Sequence, residues 1–482
     1  MTLLAARLYT AGARDVSSAT ILPPASADAA RTPEPSEAGA ATRGSAIKLT
    51  AEVTGRLLSL VTTLVVARRL GVAEFGTFAA LSGAAVLVAE LADLGLQATA
   101  ARALVAHSLS LASMTRAKAM LSGSVLALAL GAGFFSPLLA VLIGYFTLAG
   151  WSEFLGIALR ARGRRATEAA TILCLRGCGL ACAWPVLQAG GGTVAVASAL
   201  AVSTLPAVGL AALLLRGSAT AAEPPARAVR PLVREALPLG LNGGLALLSL
   251  RLEVMLLGAL RGGGGAGPFA AALRFVEPLM LVPSSVAGGA MPELTREALR
   301  GSGPVRARTA ATAALLAVPA AVGLCAVGGG LVTLLLGEAF RPATRPLRLL
   351  TLAIPALFMN GVLLHALIAA GRGAWLPRLT GLRVGAAALL ALGLIPPFGV
   401  TGAAAGFVVS ELVLLALAAR ACRAAGFAVP VLRPLLLAAA VSAPMAFVLW
   451  LVPGPALFRV AVGLAAYALT LAVLWKARAL PA

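Results

Sequence analysis

The chain has 482 residues, of which 60% are hydrophobic and 12% charged, and its mean hydropathy is +0.95. A soluble protein of this length needs far more polar residues to cover its core, so composition places the chain in a membrane that it crosses many times. The formal charge of +21 does not indicate nucleic acid, because Lys and Arg stand between apolar segments instead of clustering beside aromatic residues.

Residues 1–45, rich in Ala, Ser, Pro and Glu, cannot bury a core and are expected to form a disordered cytoplasmic tail. No cleavable signal is read there, since the short apolar stretch precedes the first charges. Beyond the tail, apolar runs of about 17 to 25 residues predict about fourteen membrane helices. Six fall at about 47–67, 76–101, 118–136, 137–159, 169–189 and 193–215. Six more fall at about 236–258, 268–290, 309–336, 347–370, 378–396 and 399–420, and two near 431–452 and 455–475. Joining the pairs split only at Pro137 and at Pro453 to Pro455 would lower the count to twelve. Gly76-Thr77-Phe78-Ala79-Ala80 and Gly267-Pro268-Phe269-Ala270-Ala271 echo one another at equivalent places in two halves, which suggests a duplicated bundle of the kind used by secondary transporters.

Positive charge sets the expected orientation. Loops after even-numbered helices are rich in it, as at Arg160, Arg162, Arg164 and Arg165, whereas loops after odd-numbered helices carry little. Both termini are therefore expected in the cytoplasm. Arg341, Arg345 and Arg348 break the pattern on the outer side, either as an amphipathic connection held partly by Glu338 or as the mark of a miscounted helix.

Several chemistries lack their residues. The three lysines, Lys48, Lys118 and Lys476, follow Ile, Ala and Trp, so no phosphate loop ending in Gly-Lys-Ser or Gly-Lys-Thr exists. His107 and His365 do not form a zinc hydrolase motif, and no nucleophile elbow or large acidic loop is present, so no enzyme is expected. Cys174, Cys178 and Cys182 share one helix face but read as apolar packing, with no metal or other cofactor expected.

Charges inside the spans are costly, about 2.5 to 3.5 kcal/mol each on insertion scales, so each is expected to face a partner or a watery cavity. In the first half these are Glu52, Arg56, Glu90, Asp93, Glu153 and Arg176; in the second, Arg251, Glu253, Arg274, Glu277, Arg383 and Glu411, with Asn242 and Asn360. Glu52 with Arg56, and Arg274 with Glu277, are spaced to pair, whereas Arg251 and Glu253 must point in different directions. The guanidinium forks of Arg56, Arg251 and Arg274 are candidates to hold phosphate oxygens. The carboxylates Glu52, Glu90, Asp93, Glu253, Glu277 and Glu411 are candidates to line the cavity or to couple an ion, with Glu90, Asp93 and Glu411 the foremost for coupling. Asp93, in Ala92-Asp93-Leu94-Gly95-Leu96, sits where glycine weakens the helix.

A resemblance follows from ordered short motifs: Ala67-Arg68-Arg69-Leu70-Gly71, Glu74-Phe75-Gly76, Ala92-Asp93-Leu94-Gly95-Leu96 with Arg102, and Glu235-Ala236-Leu237-Pro238-Leu239-Gly240. Leu250-Arg251-Leu252-Glu253, Met291-Pro292, Ala369-Ala370-Gly371-Arg372 and Gly399-Val400-Thr401-Gly402-Ala403-Ala404 continue the series. Together, over about residues 47–420, they resemble bacterial Wzx-type polysaccharide-biosynthesis flippases, of the superfamily that includes multidrug extruders and the lipid II flippase. The chain departs from that family's pattern at Glu253, where Asp is usual, and at Phe269, where Tyr is usual. The resemblance implies an all-α protein of two six-helix lobes around a central cavity, over 46–215 and 236–420, joined by a linker at 216–235, with additional helices in 421–482. It implies movement of an undecaprenyl-pyrophosphate-linked oligosaccharide across the bacterial inner membrane by rocking, with lipid, a polysaccharide polymerase and glycosyltransferases as partners. A lipid II flippase or an exporter of organic cations is the alternative on the same fold.

Overall fold

The computed structural model describes residues 35–104, 106, 109–216, 229–301 and 303–476. Residues 1–34 of the expected tail and 217–228 of the expected linker lie outside them. The chain divides into two units, Met1–Ile47 and Lys48–Ala482. Residues 35–47 of the first are helical, and the second carries everything that follows.

Among the described residues there is no strand. The helices of the first half are α1 (Pro35–Glu90), α2 (Leu96–Ala103), α3 (Leu111–Gly133), α4 (Pro137–Ala161), α5 (Arg165–Gln188) and α6 (Thr193–Arg216). Those of the second are α7 (Val229–Val276), α8 (Leu281–Gly289), α9 (Met291–Arg300), α10 (Val305–Leu336), α11 (Thr344–Thr351), α12 (Ile354–Ala369) and α13 (Leu376–Ala424), followed by α14 (Leu432–Leu451) and α15 (Ala456–Lys476).

Among the described residues nine helical stretches are long and apolar enough to cross a membrane, or ten when the bent pair Glu338–Thr351 and Ile354–Ala369 is taken as one span. Three of these are each two arms folded at a single glycine, Gly71 in α1, Gly262 in α7 and Gly399 in α13. There φ is 78°, 68° and 56° and ψ is 175°, −174° and −128°, a region almost closed to residues with a Cβ. Counting both arms, and adding α3 with its 23 residues, gives the fourteen crossings expected from the sequence.

The three folds lie at one end of the bundle. Arg261, beside Gly262, donates to the carbonyl of Pro396 near Gly399, and Gly76 lies against Gly263. At the far end, the second arm of α1 stops at Glu90, and the turn that follows puts Leu94 and Gly95 at φ 42° and 83° before α2 begins. This is the break that Asp93-Leu94-Gly95 foretells.

Helices α3 to α6 pack on one another in one lobe, and α7 with α10 to α13 in the other. The last two helices lean on α10, where Tyr467 donates to the Leu315 carbonyl and Arg459 to that of Ala326. The core is rich in alanine, from Ala266 and Ala270 to Ala313, Ala353 and Ala403, which lets backbones approach where lipid supplies no hydrophobic drive. Arg341, Arg345 and Arg348 are exposed while Ala343 and Leu347 between them, and Leu350 just beyond, are buried. The segment is thus the amphipathic connection and not a miscounted helix.

Candidate functional site

One arm of each lobe runs along the other in antiparallel register. From one end to the other, Gly267 meets Val72, Gly263 meets Gly76, Gly258 meets Ala80, Met255 meets Gly83, Gly243 meets Glu90 and Gly240 meets Gly95. A Cβ on Gly76 would stand 1.9 Å from the Gly263 carbonyl oxygen, and one on Gly95 2.4 Å from that of Ala236. Real side chains never come that close, so glycine is what permits backbone contact at both ends. The two echoing strings, at 76–80 and 267–271, meet in this seam.

Beside the seam lie three adjoining cavities of about 220, 260 and 500 Å³. The first contains Arg176, Arg251 and Arg274 with Ser59, Thr63 and Tyr145, and no carboxylate lines it. The second mixes Glu52, Arg56, Glu153 and Arg160 with Gln97. The third, between the first arm of α1 and the segment from Arg274 to Leu281, joins Arg56, Arg176, Arg274 and Glu277 to exposed Val53, Leu57 and Leu281. Arg176 lines all three.

Glu277 accepts from two directions. Arg251 Nη1 is 2.8 Å from its Oε1 and Arg274 Nη1 is 2.8 Å from its Oε2. The carboxylate sits where α7 ends ahead of Pro278, in a short 3-10 turn, Glu277–Met280. All three side chains keep about a quarter of their surface exposed, 28%, 24% and 25% for Arg251, Arg274 and Glu277. The trio carries one net positive charge at the cavity wall.

Glu52 does not pair with Arg56. Its partner is Lys48, at 3.4 Å, and Lys48 also lies 3.4 Å from Glu168. Glu168, buried at the start of α5, also receives the Arg160 guanidinium through Nε at 2.9 Å. Arg56 is exposed and free to meet a ligand that enters between the cavities. Among the described residues Arg176 pairs with Glu153, at 3.9 Å.

The other named carboxylates lie away from the cavity cations. Asp93 binds Lys118 Nζ at 2.8 Å, and its other oxygen accepts from the Gln97 amide at 3.3 Å. Glu90 stands half-buried against Gly243 in the seam. Glu411 meets Arg383 Nη2 at 2.6 Å and accepts from Asn360 Nδ2 at 2.8 Å, deep between α12 and α13. Glu253 points away from Arg251, as their spacing required, and is 1% exposed with neither oxygen hydrogen-bonded. Of the three foremost for ion coupling in the sequence, Asp93 and Glu411 are thus paired, whereas Glu90 has no ion pair among the described residues, and Glu253 is the buried carboxylate with both oxygens unbonded.

Sequence reasoning missed three features. Lys118, at the start of the third apolar run and not among the intramembrane charges, is 1% exposed and forms a buried ion pair. Arg176 was noted as an intramembrane charge but not as a cavity cation. The Arg383–Glu411 pair spans 28 positions between the two arms of α13, beyond any helical spacing rule. The buried-cation cost was the signal that could have found all three. Cys174 and Cys178 have their sulfurs 3.9 Å apart, and no cluster of three metal-ligating side chains occurs among the described residues.

No protein-family model and no curated protein matches the chain. Among solved structures it is similar to the lipid II flippase MurJ in an inward closed conformation, with a TM-score of 0.74 at 12% identity over 90% of this chain and 99% of that one. It is also similar to an inward-facing multidrug resistance MATE family transporter of the MOP superfamily, with a TM-score of 0.53 at 18% identity over 82% and 98% of the two chains. A Vibrio cholerae MATE transporter gives 0.51 at 16% identity over 81% and 99%. The chain therefore has the fold of these solved proteins.

Proposed function

We propose that the protein moves an undecaprenyl-pyrophosphate-linked oligosaccharide across the bacterial inner membrane by alternating access, as a step in making a surface polysaccharide. The observation that carries this reading is the cavity in which Arg176, Arg251 and Arg274 converge with no carboxylate in its lining. Guanidinium groups are permanently charged and match phosphate oxygens two at a time, and they are less costly to desolvate than an ammonium. A cationic drug would instead call for acids there. Neighbouring Glu52, Glu153 and Gln97 offer acceptors and a donor suited to sugar hydroxyls. The exposed apolar residues Val53, Leu57 and Leu281 at the third cavity suit a polyprenyl tail that stays in lipid.

Alternating access is supported by the seam, because two lobes that touch through glycine at both ends can part at either one. The likeness to MurJ extends over more of this chain than the MATE likenesses, and it keeps a lipid II type of substrate as the second reading, since that lipid presents the same pyrophosphate. Membrane lipids, a polymerase and glycosyltransferases are the proposed partners, and both termini are placed in the cytoplasm by charge.

The test is leaflet-resolved. Deletion of the gene is expected to accumulate lipid-linked oligosaccharide on the inner leaflet, with rescue by the wild-type chain and not by Arg251→Ala. Intact surface glycan without accumulation would sink the reading. Accumulation of lipid II instead would transfer it to the second substrate.

A further inference from the structure

The connection between α10 and α12 has an apolar face committed to the protein and a basic face left outward. A short 3-10 turn, Glu338–Ala343, leads into α11. Phe340, Ala343, Leu347 and Leu350 point inward and are at most 1% exposed. Two glycines of α10 cut the seat for them. A Cβ on Gly328 would stand 2.8 Å from Leu347 Cδ2, and one on Gly329 2.9 Å from Thr344 Cγ2. The Phe340 ring meets that of Phe75 edge-on, 5.9 Å between centres, just ahead of the glycine seam. An amphipathic helix lying on a membrane buries its apolar face among the lipids. This one cannot, because that face is already packed into the lobe.

The outward face carries Arg341, Arg345, Arg348 and Leu352, at intervals of four, three and four residues that align them on one side. The arginines are exposed, and Leu352 is 62% exposed. From Arg341 to Arg348 the row is about 10 Å long at a rise of about 1.5 Å per residue. Among the described residues none of the three is ion-paired, and exposed Glu338 beside them is unpaired too. Retention of charge in the cytoplasm gives no reason for cations here, since the clusters that serve it lie at the opposite end. Lipid does give one. Trp450, 80% exposed, and exposed Phe458 flank the turn between α14 and α15, and that turn meets α10 where Ala456 touches Gly330, next to the glycines that seat α11. Exposed Phe398 beside Gly399, and Phe134 with Phe135 between α3 and α4, continue the girdle at this end. Aromatic belts mark the level of the headgroups, so the arginine row lies at the depth of the lipid phosphates.

We propose that Arg341, Arg345 and Arg348 bind the phosphate headgroups of anionic phospholipids in the adjoining leaflet and hold this corner of the second lobe at a fixed depth. Each guanidinium offers a planar fork to phosphodiester oxygens, and Leu352 meets the acyl chains of the same lipids. A soluble acidic glycan shares the charge but has no use for the leucine. The site lies outside the three cavities, so it stands whatever substrate they take.

The experiment reads the lipid beside the row. In a background lacking the five native cysteines, Leu352→Cys carries a bimane label, and the full chain is reconstituted in mixtures of phosphatidylcholine and phosphatidylglycerol, one or the other with brominated chains. Bromine quenches only a label it touches, so the two quenching curves give the relative binding constant at this place, whichever way the chain is inserted. The anionic lipid is expected to be favoured by about fivefold or more, fivefold being the gain of a single cation near an anionic surface. The preference is expected to fade at about 1 M salt. Arg341→Gln, Arg345→Gln and Arg348→Gln together are expected to abolish it, whereas Arg420→Gln with Arg423→Gln, exposed at the far end of α13, is expected to leave it intact.

Equal quenching by the two lipids with all three arginines present, or a preference that survives the triple substitution, overturns the site. Equal quenching with an emission shift on adding polygalacturonate transfers the row to a soluble polyanion and overturns it too. The triple variant is expected to unfold at the unsubstituted temperature in phosphatidylcholine alone, since its arginines make no ion pair. A loss of stability there would mean that they brace the fold, and would likewise end the proposal.

Discussion

Arg251 and Arg274 are held side by side by one carboxylate, and the balance among these three charges sets what the cavity can grip. Glu277 occupies one nitrogen of each guanidinium, so an incoming pyrophosphate must compete with it. Glu277→Gln is therefore expected to tighten binding of inorganic pyrophosphate by about tenfold, roughly 1.4 kcal/mol, in titration calorimetry on the purified protein. Arg251→Ala is expected to weaken it by at least as much, since a hydrogen bond to a charged group contributes about 1.5 to 3 kcal/mol. Weaker binding in Glu277→Gln would show that the carboxylate shapes the site and does not guard it. Lys118 and Asp93 behave differently, being buried with side-chain exposures of 2% and 10%. Lys118→Met strands an aspartate inside the lobe and is expected to cost about 3 to 5 kcal/mol, with much of the loss recovered on adding Asp93→Asn. Thermal unfolding in detergent of both single variants and the double variant checks the coupling, and additive losses would contradict it.

At the scale of elements, the fold was legible where the chain turns and illegible where helices meet. The hairpin folds near 68–75 and 259–267 could be read because charge and glycine interrupt apolar runs, and the structure puts them at Gly71 and Gly262. The Glu52 pairing could not be read correctly, because spacing offered Arg56 while Lys48, four residues earlier, lies equally near on the helix. Arg176 and Arg383 escaped for a related reason: helices apolar all round carry no moment to say which face meets which partner. The glycine seam shows the same limit. Its residues were visible as an echo, but only the assembled lobes show that Gly76 faces Gly263. Substituting Gly76→Leu must push the two backbones apart at the end where the three hairpins fold. Spin labels placed across that end are expected to report a wider separation in the variant, and Gly95→Leu is expected to widen the opposite end instead. An unchanged distance in both would mean that the seam yields by sliding and not by opening.

For the molecule as a whole, orientation follows from charge alone, because the fold is built of helices that could be inserted either way. The arginines at the turn between α4 and α5 lie at the end opposite the Gly71, Gly262 and Gly399 folds, and cytoplasmic retention of such a cluster is the stronger signal. Arg341, Arg345 and Arg348 oppose it, but they line the exposed face of a short amphipathic segment whose other face is buried. Residues lying along an interface need not cross it, so these three weigh little in insertion. In a background lacking the five native cysteines, Arg341→Cys is therefore expected to react with a membrane-impermeant maleimide added to intact cells whose outer membrane is opened. Arg300→Cys, exposed at the end of α9, is expected to react only after the inner membrane is permeabilised. The reverse pattern would invert the protein and place Arg300 and the arginines between α4 and α5 outside the cytoplasm.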